Sequence, residues 1–115
     1  MKLGEVCLLT SDVCRLAAFY RQLLDLHETN EDPVHQVILA SEPSLTVYND
    51  GQAHSADRSP ITLAFTVDDI HAAHQKLLSM SAQILQPPMQ QPWGAVNLIF
   101  LDPDGNQVYL RQFPK

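Results

Sequence analysis

Ile61-Thr62-Leu63-Ala64-Phe65-Thr66-Val67-Asp68-Asp69-Ile70, or ITLAFTVDDI, is the stretch on which the reading of the fold turns. Ile61, Leu63, Phe65 and Val67 alternate with Thr62, Ala64 and Thr66, the period of a strand with one buried face. Asp68-Asp69 breaks the alternation. Ile70, Ala73, Leu77 and Met80 then fall on one helical stripe, so the aspartates predict a helix cap. The same order stands 57 residues upstream, counted from Glu5 to Thr62. There Gly4-Glu5-Val6-Cys7-Leu8 leads to Asp12-Val13, and Val13, Leu16, Tyr20, Leu23 and Leu24 form the stripe of a helix over 13–24. Such a repeat predicts one β-α-β-β-β unit used twice, because neither copy could bury its apolar face alone.

The remaining segments fill in each copy. In the first, residues 37–40 (VILA) and 45–48 (LTVY) predict short strands around Ser41-Glu42-Pro43-Ser44, and the polar stretch from Asn49 to Pro60 marks a boundary. In the second, 83–85, 96–101 and 107–113 predict strands, with the Pro- and Gln-rich residues 86–92 as a loop. One domain of two modules follows, about 1–54 and about 58–115. The expected class is α+β, two βαβββ modules forming a curved mixed sheet around a cavity with the helices on the outer face.

Composition narrows the partners. Apolar residues make up 45% and charged residues 17%, as in a folded water-facing domain. A net charge of −6 with no two adjacent basic residues argues against nucleic acid and against anionic membrane surfaces. No segment approaches the ~20 apolar residues of a membrane span. The N-terminal apolar run is too short for a signal peptide and goes straight into a strand pattern. Cys7 and Cys14 lack CxxC spacing, and reduced packing thiols in a cytoplasmic protein are the simpler account than a bridge.

The alternation also assigns faces. If Ile61, Leu63, Phe65 and Val67 lie under the helix, Thr62, Ala64 and Thr66 line the cavity. By the offset, Val6 and Leu8 then lie under the first helix, with Glu5, Cys7 and Leu9 inside. In 107–113, Val108 and Leu110 face the helix layer, which leaves Tyr109, Arg111 and Phe113 inward; Tyr48 takes the place of Tyr109 in the first copy. Glu5 is then either a cavity carboxylate that needs a partner or a strand end in water. Trp93 either lines the cavity or plugs a core.

Three motifs in order carry a family resemblance. Ser11-Asp12 with Ala18-Phe19-Tyr20-Arg21-Gln22-Leu23-Leu24-Asp25-Leu26, then Phe65-Thr66-Val67-Asp68-Asp69-Ile70, then Asp102-Pro103-Asp104-Gly105-Asn106 resemble the glyoxalase/bleomycin-resistance/dioxygenase family, the vicinal oxygen chelate superfamily. The first places Phe19-Tyr20 and Leu23-Leu24 inward, and the last suits a tight turn, with Pro setting φ and Gly and Asn tolerating φ > 0. The resemblance implies chains that pair, often with exchanged modules, and a divalent metal held by His and Glu at three positions. Those positions are Glu5, Thr62 and Tyr109 here. Only Glu5 keeps an ordinary ligand type, so no metal and no other cofactor is expected from them, a divalent ion through other ligands remaining an alternative. His71 and His74 are spaced i, i+3, but on a helix that covers the outer face. His27 and His54 lie in irregular segments; so does His35, the histidine best able to look inward.

Two functions compete. A binding protein would hold a small, partly aromatic molecule with Glu5, Tyr48, Thr62, Trp93, Tyr109, Arg111 and Phe113, in a homodimer. A divergent lyase, isomerase or dioxygenase would recruit non-standard metal ligands, or use Glu5 as base and Tyr109 as proton donor without metal. A scaffold with a filled cavity comes third.

Overall fold

The computed structural model describes residues 1–54 and 61–114. The chain divides into two compact units, Met1–Ser55 and Ala56–Lys115. Each is a mixed sheet with one helix on one face, so the α+β class read from the repeat is the observed one, the first unit having three strands where the repeat predicts four.

The first unit runs β1 (Glu5–Leu9), α1 (Val13–Leu23), β2 (His35–Leu39) and β3 (Ser44–Tyr48). Its sheet has the order β1-β3-β2, with β1 parallel and β2 antiparallel to the central β3. Asp12 caps α1, its carboxylate accepting from the Arg15 amide. Residues 24–34 hold no strand; charges and Pro33 crowd them. Val13, Leu16, Ala17 and Tyr20 of α1 are buried, as are Leu45 and Val47 of β3 and Ile38 of β2.

The second unit has the complete pattern: β4 (Leu63–Thr66), α2 (Ile70–Ser79), β5 (Gln83–Gln90), β6 (Val96–Leu101) and β7 (Gln107–Gln112), in the order β4-β7-β6-β5. The Asp69 side chain accepts from the His71 and Ala72 amides. A third unpaired amide of that helix start, on Ile70, donates to Gln112 Oε1 at 2.7 Å, which pins α2 to β7. Leu98, Phe100, Val108 and Leu110 are buried with Ile70 and Leu77.

Two readings of the sequence are corrected here. Of residues 86–92, only 91–92 lie outside a strand, because β5 continues to Gln90 through Pro87 and Pro88. Prolines are tolerated there since β5 is an edge strand bonded to β6 alone, with its register shifting between Ile84 and Met89. Ile61 does not lie under a helix: pairing of β4 with β7 begins at Leu63 opposite Val108, and Ile61, ahead of it, is 75% exposed. The rest of the alternation holds. Leu63 and Phe65 are half-buried and Ala64 and Thr66 exposed, as Val6 and Leu8 are half-buried and Glu5, Cys7 and Leu9 exposed.

Candidate functional site

Each sheet has a face that its helix leaves open, and strand register says which residues share it. In the first unit, Glu5 stands opposite Ser44, Cys7 opposite Thr46 and Leu9 opposite Tyr48. From the other side, His35 stands opposite Tyr48 and Val37 opposite Thr46. The Thr46 hydroxyl donates to Glu5 Oε2 at 2.7 Å. Glu5 is therefore both an exposed strand end and a partnered carboxylate. The His35 and Tyr48 rings meet edge to face with centroids 6.1 Å apart. Thr46, which holds the one carboxylate of this face, is a residue the sequence did not single out.

In the second unit, Ala64 pairs with Tyr109 and Thr66 with Arg111, while Ile99 and Asn97 stand opposite Tyr109 and Arg111 on the other side. Arg111 Nε–H donates to Thr66 Oγ1 at 3.0 Å, and its guanidinium carbon lies 4.9 Å from the centroid of the Phe113 ring. Phe113 follows the end of β7 and is exposed. Trp93 is on the turn between β5 and β6, 69% exposed, so it plugs no core. That turn closes by Gln91 N–H to the Ala95 carbonyl, and its Gly94, at φ +98°, lies against Pro114, the residue after Phe113. Thr62 precedes β4 and is exposed.

The register changes one equivalence. Because Leu9 pairs with Tyr48 and its repeat counterpart Thr66 pairs with Arg111, Tyr48 corresponds to Arg111. Cys7 with Thr46 likewise corresponds to Ala64 with Tyr109. The equivalence of Tyr48 with Tyr109 read from sequence is two residues off. Since a strand alternates with period two, the slip keeps Tyr48 on the same face.

The turn before β7 is built on Asp102. Its Oδ1 accepts from the amides of Asp104 and Asn106, each at 2.9 Å, and its Oδ2 from the Asn106 side chain at 2.8 Å. Gly105 has φ +87°, which a side chain would strain. The turn thereby sets where β7 starts and which of its residues reach the open face.

In the first unit, a groove of about 370 Å³ lies beside α1, lined by Cys14, Ala18, Arg21, Gln22 and residues 25–30. None of the seven candidate side chains is among them. Arg21, in that lining, is only 7% exposed. It donates to Gln36 Oε1 and to the Val37 carbonyl, and Gln36 donates in turn to the carbonyls of Asn30 and Asp32. Cys7 and Cys14 are free thiols.

Residues 2–110 match the family model of the Glyoxalase/Bleomycin resistance protein/Dioxygenase superfamily. The chain belongs to this superfamily. Solved structures share its fold at low identity. A glyoxalase/bleomycin resistance protein/dioxygenase family enzyme from Burkholderia phytofirmans PsJN is 18% identical, with a TM-score of 0.79 over 99% of this chain and 100% of the other. A glyoxalase/bleomycin resistance protein/dioxygenase from Nocardioides is 17% identical, with a TM-score of 0.78 over 100% of this chain and 85% of the other. A lactoylglutathione lyase from Agrobacterium tumefaciens is 17% identical, with a TM-score of 0.73 over 96% and 92%. No curated protein sequence matches the chain significantly.

The metal that the superfamily implies can be tested against the donors present. Glu5 offers a hard oxygen donor, but Thr46 already occupies one of its oxygens. Thr62 is a neutral hydroxyl, and Tyr109 is a phenol rather than an anionic or imidazole donor. Among the described residues, no group of three or more His, Cys, Asp or Glu is placed to hold an ion. His35 faces Tyr48, and His54 is held by both oxygens of Asp50. This donor set does not fit the superfamily's metal. Among the described residues no helix is long and apolar enough to cross a membrane.

Proposed function

We propose that this superfamily member is a binding protein that holds a small, partly aromatic molecule without the superfamily's metal. The observation that supports it best is the content of the three ligand positions, Glu5, Thr62 and Tyr109, with Glu5 already bonded to Thr46. The surroundings are those of a stacking site. Tyr109, Arg111 and Phe113 lie together at the end of β7, and the Trp93 turn abuts the chain just beyond them. Aromatic rings supply broad apolar contact, and a guanidinium among them orients a charged or polar substituent. On the first unit, Tyr48 and Glu5 supply a phenol and a carboxylate on one open face. The reading includes a homodimer in the cytoplasm.

The test is a comparison of ligands on one protein. Metal content of the purified chain is measured, and thermal unfolding is followed with Ni²⁺, Mn²⁺, Zn²⁺ and Fe²⁺ beside a panel of aromatic drugs. The expected result is stabilisation by one or more aromatic compounds, lost in Tyr109→Ala and Trp93→Ala. Stoichiometric metal, or stabilisation of several degrees by a metal ion, would overturn it.

A further inference from the structure

The four strands of the second unit carry one charged residue, Arg111. The other cation among residues 61–114 is Lys76, on α2, and the carboxylates there (Asp68, Asp69, Asp102, Asp104) lie at the start of α2 or in the turn before β7. Arg111 is thus an isolated cation on an otherwise neutral open face, in a chain of net charge −6. Its side chain is also held in place. Thr66 fixes the Nε edge, and the guanidinium carbon stands over the Phe113 ring. Both partners are neutral, so they orient the charge without cancelling it. The Nη1 and Nη2 donors form no hydrogen bond or ion pair among the described residues.

We infer that Arg111 recognises a carboxylate, and that the ligand class of this site is an aromatic carboxylic acid. The inference rests on the binding reading above and narrows it. A planar guanidinium presents paired N–H donors that match a carboxylate in two parallel bonds. A single cation suits a monoanion; a phosphate dianion would call for more positive charge. A carboxylate bound in the guanidinium plane carries its attached ring toward neighbours able to stack on it, namely Tyr109 on the same strand face and Phe113. The Thr66 hydroxyl acts as a positioning group.

The experiment titrates 1-naphthoate and its neutral isostere 1-naphthamide into the full chain by calorimetry. The wild type is expected to prefer the acid by about tenfold, the size of a charge-assisted hydrogen-bonded pair. Arg111→Gln, at an exposed position, is expected to erase that preference while its thermal unfolding stays near wild type. Thr66→Val keeps the cation and is expected to weaken the preference, which guards against misfolding of the first variant. Raising the salt concentration should lower naphthoate affinity more than naphthamide affinity. If the amide binds as well as the acid, or Arg111→Gln leaves the preference intact, the carboxylate assignment is overturned and the binding reading stands. If neither compound nor any member of the aromatic panel binds, both are overturned.

Discussion

Asp102 is 4% exposed and accepts three hydrogen bonds within five residues of chain. Asp102→Ala leaves those half-buried donors without their acceptor, so it should cost about 2 kcal/mol in urea unfolding. Gly105→Ala should cost about 1 kcal/mol through backbone strain alone, since nothing stands within 4 Å of the added carbon. An unchanged unfolding midpoint in either variant would refute the corresponding argument. The turn itself was legible because Pro, Gly and Asn act locally. The inward rotation of Asp102 was not, because its acceptor role depends on how the turn folds back on itself. Asp32 makes a related device in water: its carboxylate is held below its usual 3.8 chiefly by the Val34 amide, then by the His35 amide. A carboxyl depressed on folding stabilises above its unfolded pKa, and that contribution disappears as pH falls through the folded value. Amide shifts of Val34 and His35, followed by NMR, should therefore titrate together below pH 3.8, and Asp32→Asn should abolish the step. A step centred at or above the usual value would contradict this.

At the scale of elements, α1 shows how a helix can hide a charge. Val13, Ala17 and Arg21 follow at intervals of four, so Arg21 lies on the buried stripe by geometry despite its charge. Burial is tolerated because the guanidinium finds Gln36 and the Val37 carbonyl, and Gln36 ties down the irregular segment ahead of β2. Arg21→Met should cost about 3 kcal/mol, since it orphans buried acceptors. It should also loosen residues 30–32, read as faster amide exchange there. Loss of stability below half that size, with exchange unchanged, would mean that the chain from Arg21 through Gln36 carries little. The prolines of β5 hid an element in the opposite way. They remove amide donors that an interior strand would need, which an edge strand with shifted register can spare. Sequence alone shows that a proline is present, not which side of the strand is unpaired.

For the whole chain, the repeat made the architecture legible, since alternation, Asp cap and helical stripe recur together in both copies. What it concealed is that the copies are not the same length. Equivalent positions are 57 residues apart at β1 and β4, from Glu5 to Thr62, but 63 apart at β3 and β7, from Tyr48 to Arg111. A fixed offset therefore places strand faces correctly and strand positions by a wrong count. The open faces bear on assembly. Leu9, Val37 and Tyr48 share one face of the first unit and are 39%, 43% and 38% exposed. A cluster of exposed apolar side chains on one sheet face suits an interface, and a second copy of the chain is the proposed cover. Mass action then requires the unfolding temperature to rise with protein concentration. Val37→Asp puts a carboxylate into the middle of that face and should move the chain to a monomer in sedimentation, removing the concentration dependence while α1 and its buried partners stay intact. A wild type that sediments as a monomer at tens of micromolar, with one unfolding temperature at every dilution, would rule out the homodimer and leave the ligand site of the second unit to be judged on its own titrations.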